Sequence, residues 1–389
     1  MTTVNPFVPG NGLLPPHLAG REAELTLLER ILDDPTGPPS NILVSGLRGV
    51  GKTVLARRYQ EMAADYGWVA VRREFSRRHQ DEAIFAHAIV ASLVGAVGSA
   101  LLGRWLAKPR IGFTATVGDL PDGDLAAHLL ECASGTLEDR LAVTIAAVIG
   151  AVRDGGFVGV VLLLDEFHLV VDDRPEKQYA LSVFLEVMSR LQQEGVPIRL
   201  VLSGLPDLLA NLVACKTYTE RMFATRVLDH LGPAEARDAL LRPMAQHGIQ
   251  IEPAALDRIV EDTRGYPYFL QQHARSAVDR LGADIRLTAY LQHRPAILEQ
   301  LDASFYAGRY AAASDAEREL LATMALFGHE CRRRELLKRL GHDQNYLNQI
   351  LIMLLAKGLI VRTRRGQYAF ALPLFDEFLK REASRTIAA

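Results

Sequence analysis

The stretch "NILVSGLRGVGKTVLARRYQ", residues 41–60, limits what this chain can fold into more than any other. An apolar run, a glycine-rich turn and a helical pattern follow one another without a break. A continuous apolar run is expected of a strand buried on both faces, and so of a parallel sheet. The turn Gly46-x-x-x-x-Gly51-Lys52-Thr53 joins that strand to a helix read as Gly51–Ala64. Gly46, Gly49 and Gly51, with Val50 between them, let the backbone wrap closely and aim N–H groups at phosphate oxygens. The helix adds the positive end of its dipole. In such a turn Lys52 reaches the β- and γ-phosphates of ATP, and the Thr53 hydroxyl suits Mg²⁺.

The same pattern recurs downstream. "WVAVRREF" (Trp68–Phe75), "FVGVVLLLDEFH" (Phe157–His168), "IRLVLSG" (Ile198–Gly204) and "TRVLDHL" (Thr225–Leu231) read as further strands. Helical stretches Gly20–Leu32, Leu137–Asp154 and Glu176–Glu194 are interleaved with them. Strands alternating with helices predict an α/β fold, a P-loop NTPase with three αβα layers around a parallel sheet. Asp165 and Glu166 end an otherwise apolar strand, where two carboxylates have no packing role. Asp165 is placed to hold Mg²⁺, and Glu166 to orient and activate the attacking water. His168 has no second histidine at ligand spacing and reads as an ordinary polar residue. Ser203 ends another strand, at the edge where open parallel sheets bind ligands. It is read either as a hydrogen-bond donor to a γ-phosphate or water, or as a small turn residue.

From Pro233 the strand pattern stops, and helices with proline near their starts and glycine after several of them run to about residue 305. The last segment gives three short helices and then "GLIVRTRRGQYAFAL", two strand-like runs around an Arg-Arg-Gly turn. That order predicts a winged helix-turn-helix. The expected division is a P-loop core over 1–232, a helical lid over 233–305 and a winged helix over 306–389.

A chain of 389 residues is long enough for two or three cores. The net charge of −2 confines any nucleic-acid surface to a local patch. Residues 314–389 are such a patch, with thirteen Lys/Arg against nine Asp/Glu. Arg332, Arg333, Arg334, Lys338 and Arg339 are read on the second helix there, and Arg362, Arg364 and Arg365 around the wing. The candidate recognition helix Asn345–Lys357, with Gln344 just before it, offers Asn345, Asn348 and Gln349 to base edges. Cys132, Cys215 and Cys331 lie far apart and match no metal spacing, as expected of reduced thiols in a cytoplasmic protein. The N-terminus lacks a signal-peptide pattern. "IFAHAIVASLVGAVGSALLGRWL", Ile84–Leu106, has the length of a membrane span. It contains His87, Arg104 and three glycines and is followed by the strand-like "RIGFTATV", so a buried or partner-covered helix is expected and no membrane span.

Taken in order, the phosphate loop, "LLLDEFH", "LSGLPDLL", "TERMF", "TRGYPYFLQQ" and the C-terminal pattern resemble the AAA+ ATPases of the archaeal initiator (origin-recognition-like) and signal-transduction (STAND-like) group. The arm "PPHLAGREAEL" resembles the segment that packs near the adenine there, which makes Leu18, Ala19 and Gly20 candidate base contacts. The resemblance covers nearly the whole chain. It implies that Arg221, with Arg226 as the alternative, senses or stabilises the γ-phosphate. It implies that Arg264 lies near the second sensor region of the lid and that Pro267 approaches the base. Without the resemblance, Arg221 and Arg226 read as surface charges. The 113 positions between Lys52 and Asp165 exceed what a minimal core of this kind needs, and the excess falls in residues 81–135. That segment is read as an insertion for a protein partner or as a cover over the sheet.

These readings converge on an ATP- and Mg²⁺-dependent ATPase acting as a switch. Its nucleotide state is expected to control self-association and the binding of duplex DNA by the winged helix. The alternative is a STAND-like signalling ATPase whose winged helix docks a protein. A small-molecule kinase ranks below both, because Glu166 favours water as the nucleophile.

Overall fold

The computed structural model describes residues 4–10, 12–34, 40–107, 125–173, 175–341 and 343–388. Five parallel strands form the central sheet: β1 (Asn41–Gly46), β2 (Val69–Glu74), β3 (Val160–Asp165), β4 (Ile198–Gly204) and β5 (Phe223–Leu228). Their order is β2-β3-β4-β1-β5. Every residue of β1, β3 and β4 is buried, whereas the edge strands β2 and β5 are only partly covered. Burial on both faces is why the central strands are continuous apolar runs. Alternate strand residues feed opposite cores. Ile42, Val44, Val161, Leu163 and Val201 pack with Leu28, Leu55 and Tyr59 on one face. Leu43, Val71, Leu162, Leu164 and Leu200 pack with Phe85, Ile89, Leu141, Ile145 and Phe184 on the other. The register sets Glu74 beside Asp165, Ser45 beside Gly204 and Gly46 beside Leu228, so the carboxyl ends of the strands share one edge.

Two boundaries differ from the sequence reading. The helix after β3 starts at Ala180 rather than Glu176. Asp173 and Gln178 pair through their backbones, and the Asp172 carboxylate accepts the Leu181 and Ser182 amides at the helix start. β5 runs from Phe223 and ends at Leu228, because the Leu231 amide turns to the carbonyl of Gly265. Helix Glu82–Ala107 has a mean hydropathy of 1.9 over Glu82–Ala100, which by length and composition would cross a membrane. Its Phe85, Ile89, Val90 and Leu93 instead belong to the core of the sheet. The strand expected at "RIGFTATV" lies outside the described residues.

Beyond the sheet, helices Pro233–Gln246, Pro253–Thr263 and Pro267–Leu281 each open on a proline, whose missing N–H costs nothing in a first turn. The region is not all-helical: β6 (Gln250–Ile251) and β7 (Asp284–Ile285) form a parallel pair. Two-residue strands are too short to show a period in the sequence. Helix Leu287–Leu301 runs into a π-helical turn, Asp302–Ala307, and then helix Gly308–Ala311.

The last part contains helices Asp315–Leu326, Arg333–Leu340 and Gln344–Ala356. It also contains a three-stranded antiparallel sheet of β8 (Glu330–Arg332), β9 (Ile360–Arg364) and β10 (Gln367–Phe370), in the order β8-β10-β9. Arg332 therefore ends a strand rather than lying on the helix, while Arg333 and Arg334 begin that helix. Helix Phe375–Ala388 closes the module. One hydrophobic core runs from beneath β1 through Phe269 and Tyr306 to Phe375 and Phe378, so the C-terminal module is packed onto the side of the molecule that carries the glycine-rich turn 46–53.

Candidate active site

The turn predicted at 46–53 leaves β1 and enters helix Lys52–Asp65 directly. Gly49 and Gly51 have φ of 82° and 97°, a backbone that side chains resist. Gly46 is required by space: a Cβ there would stand 2.4 Å from the carbonyl oxygen of Leu228 on β5. The Lys52 ammonium is folded back into the loop, donating to the carbonyls of Gly46 and Leu47 at 2.8 Å each. Burial pushes its pKa down to about 8, with Glu166 and Asp165 acting in the opposite sense.

Asp165 is the hub of the site. Its buried carboxylate accepts the Thr53 hydroxyl at 2.6 Å, the Ser203 hydroxyl at 2.6 Å and the Glu166 amide at 2.9 Å. The helix after β1 and the end of β4 thus deliver one hydroxyl each to a carboxylate that ends β3, and the next backbone amide completes the set. Ser203 reaches Asp165, and through it the site, rather than facing the cavity itself. Glu166 has a left-handed backbone, φ 54° and ψ 29°, which costs a non-glycine residue about 1–2 kcal/mol. Phe167 holds this turn in place. Its ring lies 5.4 Å from Phe75 and 5.2 Å from Phe184, fully buried. The Glu166 carboxylate stands 3.8 Å from Nε2 of His168. His168 is buried, its pKa lowered by that burial, and Asp207 beside it is raised by the same cause. His168 is therefore a packed residue of the turn, not an exposed one.

A cavity of about 580 Å³ opens above these groups. Gly49, Val50, Gly51, Lys52, Thr53, Asp165 and Glu166 line it, as do Leu18, Ala19 and Pro267. Val8, Pro9, Gly10, Gly12, Leu13 and Pro15 of the arm line one side, and Tyr268 and Gln271 form another. The Tyr268 amide donates to the carbonyl of Gly49, which ties the helical region to the loop. The donor set fits a triphosphate with a hard cation: backbone amides and Lys52 for phosphate, and the Thr53 and Asp165 oxygens for Mg²⁺. At Gly51 a Cβ would meet nothing within 4 Å, so its requirement is backbone conformation rather than space.

Several expected residues lie elsewhere. Arg264 does not line the cavity. It ends helix Pro253–Thr263 in a left-handed conformation, and its side chain pairs with Glu377 at the surface. Gly20 packs against Leu231 and Glu235 instead of the cavity. Arg221 precedes Phe223, which is level with Asn41 at the start of β1. Five residue steps of about 3.3 Å then put it roughly 16 Å from the phosphate loop of its own chain. It lines a surface recess with Glu186, Arg190 and Tyr218. Arg226 sits mid-strand, level with Val44. Sequence reasoning missed Arg21, Arg48, Arg309 and Glu74, all of which line the cavity. Arg21 is buried and donates to the carbonyls of Val50 and Asp229. The "GRE" motif carried a signal for Arg21, and Arg48 stood inside the loop motif. Arg309 had no local signal.

Comparison with known proteins agrees with this geometry. Residues 17–201 match the AAA ATPase domain family. This part of the chain is an ATPase domain. Residues 303–379 match a domain of unknown function, DUF8462. No curated protein matches the chain. Among solved structures, the Walker-type ATPase PABY2304 of Pyrococcus abyssi superposes with a TM-score of 0.60 at 16% identity, covering 93% of this chain and 96% of that one. The ORC2 protein of Aeropyrum pernix, in its ADP form, gives 0.55 at 16% identity, covering 98% of both. Likeness at this identity establishes the shared fold, which spans the C-terminal module as well as the sheet.

Proposed function

We propose that this ATPase domain works as a switch: its nucleotide state controls self-association and the availability of a C-terminal winged helix for duplex DNA. The observation that carries the reading is the seat of the phosphate loop. Leu47, inside the loop, packs against Val361 and Ala369 of the small C-terminal sheet and Ala371 just after it. A change in the loop on nucleotide binding is therefore felt at the strands that bear Arg362 and Arg364. The ADP-form neighbour supports a nucleotide in the equivalent cavity.

In this reading Lys52 and the loop amides hold the β- and γ-phosphates. Thr53 and Asp165 hold Mg²⁺, which supplies charge neutralisation to the phosphates. Glu166 orients water against the γ-phosphorus and accepts its proton. Ser203 fixes the rotamer of Asp165. Leu18, Ala19 and Pro267 contact the base. Arg221, remote from its own cavity, serves the γ-phosphate of a neighbouring copy, where an added arginine is commonly worth 10³–10⁵ in rate.

The helix-and-hairpin order of 315–370 supports a winged helix. Arg332, Arg334, Arg362, Arg364 and Arg365 are all exposed, as phosphate contacts require. Filter binding of a DNA duplex library in AMP-PNP and in ADP tests this. The reading expects affinities that differ between the two states, and equal retention in both would count against it. A second reading has its own support. Helix Gln344–Ala356 carries no Lys or Arg and exposes Tyr346, Ile352 and Met353, an apolar surface suited to a protein partner. Loss of partner capture in Ile352→Glu with DNA binding intact would favour it.

A further inference from the structure

Besides Arg21, which is held by the carbonyls of Val50 and Asp229, two guanidinium groups line the cavity together with Lys52. Arg48 comes from the phosphate loop itself, and Arg309 from helix Gly308–Ala311, which leads into the C-terminal module. Neither has a carboxylate partner among the described residues. Arg309 donates to the carbonyl of Phe305 at 2.6 Å and lies over the Phe305 ring at 5.2 Å. The Nε of Arg48 is buried without a hydrogen-bond partner, and its guanidinium lies against Gly358, just ahead of β9. Of the carboxylates that line the cavity, Asp165 is committed to Thr53 and Ser203 and Glu166 stands toward His168, while Glu74 makes no ion pair with either arginine. Burial and the Arg48 charge both depress the pKa of Arg309. Like charges gathered in a partly buried cavity are costly until an anion joins them.

The backbone that presents Arg309 is unusual. Asp302–Ala307 is π-helical, and it contributes Ser304 and Phe305 to the cavity. Single π-turns inside helices are often found at functional sites. The same turn is anchored to the C-terminal module. The Tyr306 hydroxyl donates to the Pro373 carbonyl at 2.6 Å, and Arg381 donates to the Asp302 carboxylate at 3.0 Å.

We propose that Arg48 and Arg309 form a pair, within one chain, for the terminal phosphate of a bound nucleoside triphosphate, and that Arg309 conveys its presence to the C-terminal module. This rests on the reading of the cavity as a nucleotide site. A diphosphate ends short of the pair, so the pair discriminates between the two nucleotides. Arg48 drawn to phosphate leaves Gly358, and Arg309 drawn inward pulls on a turn bolted to Pro373 and Arg381.

The test is equilibrium binding of AMP-PNP and of ADP, each with Mg²⁺, by calorimetry. Hydrogen exchange of residues 356–371 is followed in parallel. Arg309→Ala and Arg48→Ala are each expected to weaken AMP-PNP by about tenfold or more, the worth of one charge-assisted hydrogen bond, while ADP changes by less than about twofold. Arg309→Lys recovers part of the loss. AMP-PNP alters exchange over 356–371 in the unmodified protein but not in Arg309→Ala. Equal weakening of both nucleotides, or of neither, overturns the pair. A different failure marks the nucleotide site itself: unmodified protein that binds neither nucleotide, or Lys52→Ala that binds both normally.

Discussion

Replacing Ser203 with alanine removes one hydroxyl from the centre of the site, and the structure sets the size of the effect. The Ser203 hydroxyl is buried and donates to Oδ1 of Asp165 at 2.6 Å. A hydrogen bond to a buried charge is worth about 1.5–3 kcal/mol. Oδ1 keeps the Glu166 amide and Oδ2 keeps Thr53, so no carboxylate oxygen is left bare. The loss therefore falls at the low end, about 1.5 kcal/mol of stability. Asp165 also gains a rotamer, which should raise the Mg²⁺ concentration for half-maximal ATPase activity by roughly tenfold, as 1.4 kcal/mol dictates. Urea denaturation reads the first effect and a Mg²⁺ titration of hydrolysis at saturating ATP the second. Unchanged stability together with an unchanged Mg²⁺ midpoint would refute the idea that Ser203 works through Asp165.

Three further outcomes are expected. Arg364→Ala with Arg365→Ala should weaken DNA binding across all sequences and lower the slope of log K against log salt by about one per lost phosphate contact; an unchanged slope in filter binding shifts the weight to protein docking. Mixing Arg221→Ala with Lys52→Ala, each inactive alone, should restore part of the ATPase rate, because a mixed interface pairs an intact cavity with an intact arginine. A rate independent of protein concentration, with no rescue on mixing, contradicts action in trans. His273 is fully buried and its pKa is pushed down to about 4, so as pH falls the unfolded chain takes up the proton first. Its contribution is complete above pH 6.5 and is lost between 6.5 and 4, about 3 kcal/mol in all. Stability measured by denaturation across that window should fall less steeply in His273→Gln, and parallel curves would contradict this.

The phosphate loop and Asp165–Glu166 were legible because their chemistry is local. A glycine spacing, a lysine and an apolar strand ending in two acids are adjacent in sequence. The parallel sheet was legible for the same reason, since burial on both faces leaves runs such as Val160–Leu164. Arg309 was not legible, because its place in the cavity depends on a π-turn and on packing between regions far apart in the chain. Arg264 shows the converse. The resemblance put it near the nucleotide, but a left-handed backbone at φ 47° between two helices sends the side chain to Glu377. A motif gives position along the chain, not the direction of a side chain.

The central claim is that Glu166 activates water in an ATP-binding cavity. The most direct measurement is ATP binding and single-turnover hydrolysis by Glu166→Gln beside the unmodified protein. The account predicts that ATP binds with comparable affinity while hydrolysis slows by roughly 100-fold or more, the scale of a general base. Hydrolysis by Glu166→Gln at the unmodified rate would contradict it.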